Sequence, residues 1–99
     1  MKSASAELIQ TNGTLQLSGQ INLHSVNRLY EIFKHEWGTG IDVLDCREIS
    51  DADSSAISFL LACKHFAKEH DRKLRVTGMG DQIITLARLY GVSALLTAD

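Results

Sequence analysis

The sequence predicts one α/β domain, built on a mixed, mostly parallel sheet that a β-hairpin opens, with helices packed against it. Three observations carry that expectation. Short β-type runs alternate with amphipathic helical stretches along most of the chain, the order that makes strands parallel neighbours. Asn12-Gly13 separates the first two β-type runs, and both residues tolerate positive φ, as a tight hairpin turn requires. The length of 99 residues and the 44% hydrophobic content suit a single core of modest size.

The elements follow in order. Residues 1–5 are small and polar, and fraying is expected there. Residues 7–10 read as a short strand and 14–18 as its return, with Leu15 and Leu17 on one face and Gly19 ending the run. A helix is predicted over 25–36, because Val26, Leu29, Tyr30, Phe33 and Trp37 recur at helical spacing. Packing is the economical account of Tyr30 and Trp37, and Gly38 and Gly40 release the chain. Ile41, Val43 and Leu44, interrupted by Asp42 and Asp45, begin a central and largely buried strand over 41–46. Arg47-Glu48-Ile49 continues it toward an acidic turn. A second helix is predicted over 54–70, broken by Asp71-Arg72, and a further strand over 73–77 with Leu74 and Val76 on one face. Gly78 and Gly80 bracket a turn, and Asp81 is the expected cap of a third helix. Ile83, Leu86, Ala87 and Tyr90 would line its inner face, and Gly91 would stand just past its end. Residues 92–97 are apolar enough for a short strand or a last turn, closing the sheet or covering the third helix.

The chain is organised around Asp51-Ala52-Asp53-Ser54-Ser55 and the helix that follows. Ala56, Phe59, Leu60, Cys63, Phe66 and Ala67 share one face of that helix, and Ser58, His65 and Glu69 lie opposite. Ile57 and Leu61 fall at the edge, as core residues or as an exposed contact. Capping alone would explain Asp53, Ser54 and Ser55, since their short oxygens accept from first-turn N–H groups. The functional reading is that a partner docks at this helix start, or that a kinase modifies a hydroxyl there. A phosphate would be favoured by the helix N-terminus and opposed by the neighbouring carboxylates.

Several function classes are disfavoured. The net charge of −2 does not suit a general nucleic-acid binder, and no polybasic membrane arm is present. No run is apolar enough for a signal peptide or a membrane span. Cys46 and Cys63 stand in separate elements and form no C-x-x-C pair, which predicts free, buried thiols in a cytosolic protein. There is no phosphate-binding G-x-x-x-x-G-K-[ST] loop, no G-x-G-x-x-G and no nucleophile elbow. His24, His35, His65 and His70 are scattered, and Asp45, Asp51 and Asp53 are explained by capping and solvation more cheaply than by a metal. Neither a metal, a cofactor nor an enzymatic activity is expected. Lys64, Lys68, Arg72, Lys73 and Arg75 form a local basic group, either a solvated surface or a match for an acidic partner.

At Asp53-Ser54-Ser55-Ala56-Ile57-Ser58-Phe59-Leu60-Leu61, following the central strand, the chain resembles the STAS domain. That is the fold of anti-sigma-factor antagonists and of the cytoplasmic parts of some anion transporters. The family pattern there is Asp-Ser/Thr-Ser/Gly-Gly-Leu and then an apolar helix. This chain departs from it at Ala56, where glycine is usual. The likeness is closer to the small STAS subunits of the Mla phospholipid-transport ABC systems of Gram-negative bacteria. It rests on the length, on Leu15-Gln16-Leu17-Ser18-Gly19 as the second strand and on Thr85-Leu86-Ala87-Arg88-Leu89-Tyr90 as the last helix. In those subunits the first hydroxyl position, here Ser54, is usually threonine and the second, here Ser55, glycine. In the antagonists the second position is the phosphorylated serine. A hydroxyl stands at both positions, so the resemblance leaves both readings open.

The first reading implies a STAS fold and a non-catalytic cytoplasmic subunit, held at the inner membrane only through its complex. It would bind and tune the ATPase subunit of an ABC transporter that, with its permease, maintains outer-membrane lipid asymmetry. Asp51, Asp53, Ser54, Ser55, Ala56, Ile57 and Leu61 would form the partner surface. The alternative is an anti-sigma-factor antagonist, switched when an anti-sigma-factor kinase phosphorylates Ser55, with Ser54 the other candidate hydroxyl. Nucleotide binding, proposed for STAS domains as a class, ranks low without a phosphate loop. Nucleic acid and direct membrane insertion are not expected of either reading.

Overall fold

The computed structural model describes residues 6–98; the expectation for residues 1–5 lies outside them. Four strands form one mixed sheet in the order β1-β2-β3-β4, with β1 Glu7–Thr11, β2 Thr14–Ile21, β3 Val43–Ala52 and β4 Arg75–Thr77. β1 and β2 are antiparallel across the Asn12-Gly13 turn, where both residues have positive φ (50° and 83°). β2–β3 and β3–β4 are parallel. The helices are α1 Val26–Glu36, α2 Ser54–Glu69, α3 Asp81–Leu89 and α4 Ser93–Thr97, with a 3₁₀ turn Trp37–Thr39 after α1. The expected mixed sheet, opened by a hairpin and covered by helices, is the one observed.

Side chains alternate along the strands, so one face of the sheet feeds the core. Leu15, Leu17, Ile21, Leu44 and Cys46 are buried there with Leu29, Phe33, Phe59, Leu60 and Cys63 from the helices. The other face stays open at Glu7, Ile9, Thr11 and Gln20. Full burial of a side chain such as Leu60 or Phe33 stabilises the fold by about 1.5–3 kcal/mol. Aromatic rings lock α1 to α2. Phe66 meets Phe33 edge-on at 5.7 Å and Trp37 at 5.5 Å, and the Arg72 guanidinium lies 4.4 Å above the Trp37 ring.

Four sequence expectations are corrected. Gly19 does not end β2, which runs to Ile21. Gly19 has φ +87° and sits where β3 carries extra residues, with register shifts between Gln16 and Ser18 and between Gly19 and Gln20. A glycine inside a strand is the residue that accommodates such a bulge. Asp51 and Ala52 are not a turn: they pair with Gln20 and Ile21 as the last residues of β3, and the chain turns only at Asp53. Asp81 is inside the first turn of α3; the cap position is Gly80, with extended backbone, and Asp81 contributes its charge to the positive helix end. Tyr90 is 53% exposed, because α3 stops at Leu89 and the chain turns away before the next inward position. Its N–H still bonds Leu86 O at 3.0 Å, and Gly91 has the positive φ expected just past a helix end (71°). Residues 92–97 resolve as helix: α4 packs on α2, α3 and β4 through the buried Leu96.

Candidate functional site

The start of α2 is placed by the parallel pairing of β2 and β3. β3 ends beside Ile21, and the Asp53 N–H donates to Ile21 O at 3.2 Å. Asp53 takes the extended cap conformation, and its Oδ1 accepts from the Ser55 N–H at 2.8 Å. Such a cap contributes roughly 1 kcal/mol. The capping function expected of this stretch therefore falls on Asp53 rather than on the serine hydroxyls. Ser54 is exposed and Ser55 half-buried.

A residue that the sequence reading did not single out completes this corner. Gln82, in the first turn of α3, accepts from the Ala52 N–H at 3.1 Å and donates from Nε2 to Asp51 Oδ1 at 3.1 Å. One amide thus ties the last strand residues to α3 from thirty residues away. Nothing local marks it, because Gln82 stands on an exposed helix position with no motif around it.

The candidate residues divide by exposure. Asp51, Asp53 and Ser54 face solvent, Ser55 and Leu61 are half-buried, and Ala56 and Ile57 are in the core. Ile57, at 3% exposure, resolves to the core side of its two alternatives and presents little side chain to a partner. Leu61 lies almost two turns beyond Ser54 and borders a different groove. Beside Ser55, a shallow groove of about 300 Å³ runs between α1 and α2, bordered by Leu23, Tyr30, Ser55, Ser58 and Phe59. Leu23 is 71% exposed there, an apolar side chain that sequence pattern left unassigned to either helix.

The arrangement offers two hydroxyls, two carboxylates and an apolar rim at the positive end of a sixteen-residue helix. Asp45 stands apart from Asp51 and Asp53: it is buried, and its carboxylate accepts from the Arg47 N–H at 3.0 Å and the Arg47 guanidinium at 3.2 Å. Among the described residues, no three His, Cys, Asp or Glu side chains are grouped to hold a metal ion. Both cysteines are buried and free. Burial, reinforced by the Asp45 charge, pushes the Cys46 thiol up to about 12, and burial raises Cys63 well above its ordinary value. Neither is an accessible nucleophile. Among the described residues no helix is long and apolar enough to cross a membrane.

Comparison with known proteins bears on this geometry. The family described as "Mlab, STAS domain" matches residues 6–97. Two curated relatives, from Escherichia coli (strain K12) and Shigella flexneri, are each named "Intermembrane phospholipid transport system binding protein MlaB". Each is 32% identical over 92 residues, covering 93% of this chain and 94% of the relative. Among solved structures, an anti-sigma factor antagonist from Mycobacterium paratuberculosis superposes with a TM-score of 0.73 at 17% identity, over 97% of this chain and 84% of that one. The unphosphorylated form of the anti-sigma factor antagonist SpoIIAA gives 0.69 at 13% identity, over 90% and 83%. At such identities these structures speak for the fold alone.

Proposed function

The chain belongs to the MlaB family of STAS domains, and from that membership we propose that it is a non-catalytic subunit of a phospholipid-transport ABC complex, one that binds and tunes the ATPase. The observation that carries this reading is the 32% identity, over 93% of the chain, to proteins named as binding proteins of intermembrane phospholipid transport. The site is consistent with it: a polar helix start, set by the hydrogen bonds of Asp53 and Gln82, with no group of metal-binding side chains among the described residues. In this reading Asp51, Asp53 and Ser54 contact the ATPase directly, Leu23 and the half-buried Ser55 border the contact, and Ala56 and Ile57 hold the helix in place from the core. The subunit works in the cytoplasm, at the inner membrane through its partners. It would act by favouring one arrangement of the ATPase, since binding can shift an equilibrium only through unequal affinity for its states.

The test is ATP hydrolysis by the transporter complex purified with and without this chain. The expected result is a changed turnover when the chain is restored, and none from the chain alone. Equal turnover with and without it would refute the tuning role.

One observation favours a second reading: Ser55 places a hydroxyl, half-exposed, at the second position of the helix-start motif. As a phosphorylated switch of the anti-sigma-factor-antagonist kind, it would gain about 1.5 to 2 negative charges beside Asp53, enough to alter a contact without unfolding the domain. Partner binding that is unchanged by Ser55→Asp would count against that switch.

A further inference from the structure

The turn that leads from β2 into α1 carries a large apolar side chain out beside the helix start. Leu23 is 71% exposed and borders, with Ser55, the groove between α1 and α2. A lone exposed leucine is ordinary on a protein surface. Two features set this one apart: how it is held and where it stands.

The turn is built around Asn22 and Ser25. Ser25 is buried, yet its hydroxyl does not cap α1. It accepts from the Asn22 N–H at 3.0 Å, and its own hydrogen is directed at Gln20 O, 3.1 Å away, and Asn22 O, 3.2 Å away. Asn22 Oδ1 accepts from the His24 N–H at 2.9 Å, and Asn22 O from the Ser25 and Val26 N–H groups at 3.0 and 3.1 Å. Leu23 is thus spanned by hydrogen bonds on both sides while its side chain stays out of the core. Its place follows from the sheet. Ile21, the last residue of β2, pairs with Ala52, the last of β3, and the Ile21 carbonyl accepts from the Asp53 N–H. The Leu23 turn and the start of α2 leave the same edge of the sheet.

We propose that Leu23 is the anchor of the ATPase contact, its side chain entering an apolar pocket on the ATPase. The inference rests on the ATPase-binding reading and adds to it the residue that carries affinity and the chemistry of the surface that receives it. Covering an exposed leucine completely raises affinity on the order of tenfold to a hundredfold. The hydrogen bonds of the turn limit the backbone freedom lost on docking. Asn27, Ser55 and Ser58 line the same groove, and Asp51 and Asp53 stand at the same sheet edge. The receiving pocket is therefore apolar at its centre, with hydrogen-bond donors or cations on its rim.

The experiment is a titration of the purified full chain onto the ATPase–permease complex prepared without it. Wild type is compared with Leu23→Ala, Leu23→Met and Leu89→Ala, the fold of each checked by its amide spectrum. Leu89, 73% exposed at the end of α3, is the control for an exposed leucine elsewhere. The expected result is binding weakened by roughly tenfold or more in Leu23→Ala. Leu23→Met, which conserves volume, should lose clearly less, and Leu89→Ala nothing. No binding by the wild type would refute the ATPase-binding reading, and the anchor with it. Wild-type binding matched by Leu23→Ala would overturn the anchor and leave that reading standing. So would an equal loss in Leu89→Ala, or a loss in Leu23→Met as large as in Leu23→Ala. If Leu23→Ala instead abolishes self-association of the free chain in sedimentation, with ATPase binding unchanged, Leu23 serves a second copy and the proposal falls.

Discussion

Gln82 holds together two backbone segments that the chain separates by thirty residues. Ala52 is buried, so its N–H has Gln82 Oε1 where water would otherwise be needed. Gln82→Ala therefore leaves that donor without its partner and frees Asp51 as well. We expect a loss of about 1–2 kcal/mol in urea unfolding, and faster amide exchange at Ala52 than at the α2 core positions. Unchanged stability and exchange would mean that the Gln82 bridge is idle. Asp53 was legible in the sequence, because an acidic residue before a helical apolar run is a local signal that needs no knowledge of the fold. Gln82 was not, because its partners are set by the packing of α3 against β3.

At the scale of the element, α2 shows how periodicity both guides and misleads. The face of Ala56, Phe59, Leu60, Cys63 and Ala67 is buried as the helical spacing predicts, and Ser58, His65 and Glu69 are exposed. The two edge positions separate only in three dimensions: Ile57 is covered by the core, while Leu61 stays half-open on a groove it shares with Lys64 and Lys68. Adjacent leucines should consequently differ sharply. Leu60→Ala, at full burial, is expected to cost about 2–5 kcal/mol, and Leu61→Ala well under half of that, read from thermal or urea denaturation. Equal losses would contradict the assignment of the α2 faces. Strand ends were less legible for a physical reason. Gly19 and Asp51 look like terminators, yet a strand held by a parallel neighbour continues through either when a bulge absorbs the irregularity. Helix ends failed in the same way at Tyr90, whose spacing from Ile83 is helical but whose backbone is no longer so.

At the scale of the molecule, one core serves both faces of the α1–α2 pair, and both thiols lie within it. Because burial raises the Cys46 and Cys63 thiols, the folded state favours their neutral forms. Their contribution to stability is present below the ordinary thiol value of 9.0 and is lost as pH rises from there toward about 12, where an unfolded chain ionises first. Stability should therefore decline over that alkaline window, less steeply in Cys46→Ala, and Ellman's reagent should react with neither thiol before unfolding. Rapid reaction in the native state would place a thiol at the surface. The α/β class, the hairpin and the helix-start motif were readable in the chain. The Gln82 bridge was not, since it joins residues from elements distant in sequence.

The proposed contact between the start of α2 and an ABC ATPase is open to direct experiment. It is tested most directly by affinity capture of the tagged chain from extract of its own cells, comparing wild type with Ser54→Asp and Ser55→Asp. The expected result is recovery of an ABC ATPase and its permease by the wild type, and loss of both on Ser54→Asp with the fold intact by circular dichroism. Undiminished capture by both variants, or recovery of a sigma-regulating kinase in place of the transporter, would contradict it.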